Sequence, residues 1–161
     1  MMRPVTVFLI IVCMVSSALA QPSLLKFFEG EWEGTVKDFD AKGKETQKFK
    51  VRRSLKFVGS DTLKGTYQVF GENIESRPVP LEIIETNKGF VLKQAGTVFS
   101  GTYQDRTFTF QGKDESQAEI RQMHFFIGGD QEFFTLEQID PQSKKKTVLK
   151  RGVLKLKKAE D

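Results

Sequence analysis

Four side chains in this sequence have the type and setting for site chemistry: Arg53, Tyr67, Tyr103 and His124. Arg53 is in phase with Phe49, Val51, Leu55 and Phe57, so a two-residue alternation carries its guanidinium to the apolar face of a strand. A charge there is costly unless it is balanced. An inward Arg53 therefore calls for either an internal carboxylate or an acidic ligand. The other local solution is a bulge at Arg52 and Arg53 that turns both outward. Tyr67 and Tyr103 fall on inward faces and offer phenolic donors. With Phe49, Val51 and Leu55 as apolar walls, these residues form the candidate ligand site.

Other chemistries lack their parts. The chain has 1 His and 1 Cys, whereas a hydrolytic zinc site usually takes about three protein ligands. A Ser-His-Asp triad would have to use His124, and no Gly-x-Ser-x-Gly elbow accompanies it. Phosphate-cradling glycine loops are absent, and the carboxylates fall on turns and on strand positions read as outward, which indicates no acid-base pair. The expectation is a protein that is not an enzyme, with no metal and no cofactor. His124, in the run from Ile120 to Ile127, would suffice as a single axial haem ligand, which is the minor reading.

The elements that must position these residues are strands. Turn-forming clusters recur about every ten residues, at positions 41–44, 59–61, 71–73, 86–89, 104–105, 113–116, 128–130 and 140–143. Between them apolar and polar residues alternate, as in Leu63/Tyr67/Val69 and Phe108/Phe110. No helix-period stripe exceeds about two turns. The pattern predicts an all-β fold, an up-and-down antiparallel β-barrel of about 8–10 strands, because closure removes exposed edges. A short helix is expected at positions 23–28, and a two-sheet sandwich is the alternative architecture.

Composition sets the frame. With 161 residues, 39% hydrophobic and 29% charged, the chain has the make-up of one globular domain. Residues 1–20 read as a cleaved secretory signal: Arg3 precedes an apolar run from Val5 to Val15, and Ala18 and Ala20 are the small residues of a cleavage site. That run is shorter than the ~20 residues of a membrane-spanning helix. The expected mature unit is residues 21–161, a single cysteine-free domain in a secreted or periplasmic setting. A net charge of +4 does not point to a nucleic-acid partner.

The first predicted strand opens with Phe28-Glu-Gly-Glu-Trp-Glu-Gly34, a Gly-x-Trp-x-Gly motif after a short apolar piece. This resembles the start of barrels of the calycin superfamily, and specifically a divergent lipocalin-like secreted barrel. The resemblance implies that Trp32 plugs one end and that a late arginine, Arg151 in Leu149-Lys-Arg-Gly-Val-Leu, packs over the indole. Fatty-acid-binding members hold a carboxylate with inward Arg and Tyr side chains, the part assigned here to Arg53, Tyr67 and Tyr103. The middle Thr-Asp-Tyr lipocalin motif and the extra glycines after the Trp of nitrobindin-like barrels are absent.

Charge is distributed unevenly along the chain. Lys48, Lys50, Arg52 and Lys56 alternate on one strand, and Lys144, Lys145, Lys146, Lys150, Lys155, Lys157 and Lys158 surround the last. Closure would set both strands beside the first and create a positive outer wall for an anionic membrane or polyanion. The expected function is binding of a small hydrophobic or fatty-acid-like ligand inside the barrel. The alternative is a packed barrel without ligand, an interaction module of the cell envelope working through its basic outer face.

Overall fold

The computed structural model describes residues 23–71, 74–114 and 116–158; the expected leader lies outside them. The strands are β1 (Gly30–Phe39), β2 (Glu45–Phe57), β3 (Thr62–Gly71), β4 (Ile74–Glu75), β5 (Val79–Thr86), β6 (Gly89–Gln94), β7 (Thr97–Gln104), β8 (Thr107–Lys113), β9 (Glu119–Ile127), β10 (Gln131–Ile139) and β11 (Lys146–Leu156). All pairings are antiparallel. β1 bonds both β2 and β11, and β2 bonds β3, which closes the sheet on itself. The two-residue β4 extends the partner edge of β3 beyond β5, so the ring itself has ten strands. The expected helix is only a 3-10 turn, Leu24–Phe27, with Ser23 Oγ accepting from the Leu25 N–H.

Local chemistry explains the connections. β6 turns into β7 through Ala95 and Gly96, and β7 into β8 through Asp105 and Arg106, all with positive φ, the backbone of tight hairpins that follow the strand twist. Gly34 answers a different need. A Cβ there would lie 2.0 Å from the Val153 carbonyl oxygen, so the last glycine of the Gly-x-Trp-x-Gly run lets β1 approach β11 and close the barrel.

Inward positions alternate along each strand and separate the interior into two halves. The closed half is filled by rings. Phe28 meets Phe108 and Phe126 edge-on, with centroids 4.8 Å and 4.9 Å apart, and Phe90 meets Phe108 at 5.1 Å. Leu25, Trp32, Leu55 and Leu63 complete this floor at zero exposure. The other half is not filled, and the candidate site lies there.

Candidate functional site

Arg53 is carried inward by β2. Its register with β1 runs unbroken through Trp32↔Arg53, and the one irregularity falls at Asp38/Phe39, so the bulge at Arg52 and Arg53 does not occur. Arg53 is 4% exposed. Its guanidinium lies over Phe28 and Trp32, with Cζ 5.1 Å and 5.3 Å from the ring centroids. From there Nη1 donates to Glu132 Oε1 at 3.0 Å and Nη2 to Glu132 Oε2 at 2.5 Å. Of the two solutions open to an inward arginine, the fold uses an internal carboxylate.

The carboxylate that answers Arg53 is Glu132, one that the sequence alone leaves among the outward acids. It is fully buried on β10, in phase with the inward Phe134 and Leu136. That phase, in Glu132-Phe-Phe-Thr-Leu136, was the available signal. Burial alone would raise its carboxyl pKa, but the Arg53 charge, the His124 hydrogen bond, the positive charge that His124 carries once it is protonated in acid, and the Arg53 hydrogen bonds outweigh that and hold it down at about 2.

His124 completes the cluster from β9. Its Nδ1 lies 2.7 Å from Glu132 Oε1. An ionised carboxylate only accepts hydrogen bonds, and Arg53 already balances its charge, so a neutral imidazole with the proton on Nδ1 fits this pocket. The opposite nitrogen, Nε2, is buried without a hydrogen-bond partner, and so is Arg53 Nε. Phe28, Phe110 and Phe134 surround the imidazole at centroid distances of 5.3, 5.7 and 5.2 Å.

These groups border a cavity of about 140 Å³ walled by every strand of the ring except β7. Its apolar walls include Val36, Leu81, Ile83, Leu92 and Leu154, and its polar ones Tyr67, Gln94, Gln122 and Lys150 beside the Arg53–Glu132–His124 cluster. Tyr67 stands opposite Arg53 on β3. Burial is the main cause that pushes its phenol up to about 12, assisted by Glu132 and Asp38 and opposed by Arg53. Gln122 Nε2 donates to Gln94 Oε1 at 3.4 Å. Space of this size matches a benzene-sized occupant (about 150 Å³ suffices for one) and does not admit a porphyrin, so the haem reading of His124 is not supported by the cavity.

The remaining sequence candidates sit elsewhere. Tyr103 is half-buried outside the cavity wall, against Phe27 and Phe108. Val51 and Leu55 are buried core residues that do not line the cavity, and Phe49 is half-buried with Lys150 Nζ 5.7 Å from its centroid. Arg151 does not cover Trp32. Buried Gly152 and Leu154 set the phase of β11, which turns Arg151 outward, where it lies over Phe39. Arg53 takes the place over the indole. The same phase carries Lys150 inward, not outward with the other lysines, and it pairs with Asp38 at 2.7 Å.

By sequence, no family model and no curated protein matches the chain. By structure it is similar to the S-type phycobiliprotein lyase CPES from Guillardia theta, at TM-score 0.65 and 11% identity over 84% of this chain and 92% of that one. It is also similar to Rv2717c from M. tuberculosis, at TM-score 0.57 and 13% identity over 83% and 95% of the two chains. A third likeness is to a protein of the DUF3598 family from Nostoc punctiforme, at TM-score 0.60 and 8% identity over 83% of this chain and 49% of that one. At these identities the likeness concerns the fold alone.

Proposed function

We propose that this chain is a binding barrel that takes one compact, mostly apolar small molecule between Tyr67 and the Arg53–Glu132–His124 cluster. The observation that carries this reading is the cavity itself: an interior otherwise packed with rings leaves about 140 Å³ open beside two buried nitrogens without partners. Native interiors rarely leave such groups unmet. At ~25 cal/mol per Å², a ligand hiding roughly 150 Å² of apolar surface gains about 4 kcal/mol, equivalent to a dissociation constant of about 1 mM. Tighter binding must draw on the polar cluster.

The volume also selects among ligands. A fatty-acid-like molecule fits with a short chain only, its polar end at the cluster. Arg53 is a poor receptor for a bare carboxylate, since both terminal nitrogens are engaged by Glu132. Binding is favoured over catalysis because the described residues lining the cavity include no Ser, Thr or Cys for His124 to activate. With a leader over residues 1–20, the barrel would work outside the cytoplasm, as a secreted or periplasmic protein. An N-terminus at Gln21 in exported protein is the matching observation.

Native mass spectrometry of protein purified from its own host tests the reading. A reproducible added mass of a small organic molecule, released on denaturation, is expected. A bare mass after exposure to a small-metabolite and lipid extract would overturn it.

A second reading is favoured by one feature of the outer wall. Phe133 is exposed between its cross-strand partners Phe125 and Val153, also exposed, and Lys37, Lys48 and Arg151 border it. Lys37 is paired with Glu45 at 2.6 Å, whereas Lys48 and Arg151 have no carboxylate partner among the described residues; aromatic rings beside such cations suit an anionic lipid surface. Co-sedimentation with anionic but not neutral vesicles, lost in Phe133→Ser, is the expected result. Equal partition with both vesicle types would remove this reading.

A further inference from the structure

We infer that the ligand of this cavity presents a hydroxyl hydrogen, as a phenol or an undissociated carboxylic acid does, and donates it to His124 Nε2. The inference rests on the binding-barrel reading and adds the chemical class. Glu132 is bonded by Arg53 through both oxygens and by His124 through Oε1, which leaves its capacity as an acceptor largely used and its charge balanced. An imidazole that donates from Nδ1 to this carboxylate carries a lone pair on Nε2. That atom is buried and unpartnered, on a residue that lines the cavity. A second proton on the ring would leave two buried cations, Arg53 and His124, sharing the one Glu132 carboxylate, a net positive charge that the surrounding Phe28, Phe110 and Phe134 cannot solvate.

The complementary group on a ligand is therefore a donor. Hydroxyl oxygen also has lone pairs, and the described donors around the cavity, on Arg53, Tyr67, Gln94, Gln122 and Lys150, belong to the same wall, the Lys150 ammonium being already paired with Asp38. A hydroxyl can thus be satisfied as donor and acceptor at once. A carboxylate anion offers no hydrogen to Nε2 and would add a negative charge beside Glu132. A pure hydrocarbon would leave the nitrogen unmet.

Phenol and toluene separate these cases, because they share a shape and differ in the hydroxyl. Water-to-apolar transfer alone ranks toluene first. Calorimetric titration of the full barrel with each is expected to show phenol binding about tenfold more tightly, the factor that one net hydrogen bond supplies. His124→Leu should bring the ratio to unity or below. Toluene binding as tightly as phenol to the wild-type barrel overturns this inference and leaves the binding-barrel reading standing. Failure of both to bind overturns the cavity reading itself. The wild-type comparison decides even if the variant does not fold. A second readout is independent of any ligand: His124 is the 1 histidine of the chain, so its imidazole nitrogen resonances need no assignment. Near neutral pH, Nε2 should resonate as an unprotonated ring nitrogen, and a protonated Nε2 would overturn the inference.

Discussion

Arg53 and Glu132 stand 79 residues apart in the chain and meet inside the barrel through two parallel N–H···O bonds, Nη1 to Oε1 at 3.0 Å and Nη2 to Oε2 at 2.5 Å. Trp32 and Phe28 lie under the guanidinium, and His124 holds the carboxylate from the side. The pair thus spans the interior from β2 to β10 and separates the ring-filled floor from the cavity.

Breaking this pair from one side should be costly. Arg53→Leu leaves a buried anion and Glu132→Leu a buried cation, and either loss is expected to destabilise by about 3–5 kcal/mol. The double variant Arg53→Leu/Glu132→Leu should recover most of that, since two apolar groups of similar bulk need no partner. Urea unfolding of the three variants measures this. Additive losses in the double variant would mean that the two side chains are not energetically coupled.

The same pair makes the fold sensitive to acid. The unfolded Glu has a pKa of about 4.3, and in the fold Glu132 is held at about 2 against the opposing effect of burial. Between these values the unfolded chain binds the extra proton, so the contribution is complete above about pH 5 and is lost as pH falls toward about 2. Denaturant midpoints should drop over that interval, and drop less in Glu132→Gln.

At the alkaline end the group to watch is Tyr67. Its phenol is held protonated to about 12, chiefly by burial, while in the unfolded chain it ionises at about 10. Stability should therefore decline between about pH 10 and pH 12 as the unfolded state loses the proton first. The chain has 2 Tyr, so tyrosinate absorbance can follow the transition, and Tyr67→Phe should remove its later phase.

Barrel closure depends on a missing side chain. In Gly34→Ala the new methyl would sit 2.0 Å from the Val153 carbonyl oxygen, against backbone that cannot swing aside. A loss of at least about 3 kcal/mol is expected, with amide exchange fastest along the β1–β11 seam. A variant as stable as the parent would show that the seam can open without cost.

Much of this molecule is legible in its sequence because strand alternation is a local property. Phe49, Val51, Arg53, Leu55 and Phe57 announce one face by their spacing alone, turn residues mark the hairpins, and closure follows from the need to satisfy strand edges. The same logic places Glu132 inward with Phe134 and Leu136, although a carboxylate among apolar residues reads as outward until a partner is known. Sequence cannot supply that partner, because Arg53 and Glu132 meet across strands that are not neighbours in the sheet. Nor does it decide which arginine covers Trp32: a one-residue change of phase on β11 exchanges Arg151 for Lys150 at the interior, and only the pairing with β1 and β10 sets that phase. The cavity belongs wholly to tertiary structure. Its volume is what remains after every ring has packed, and no single residue encodes it.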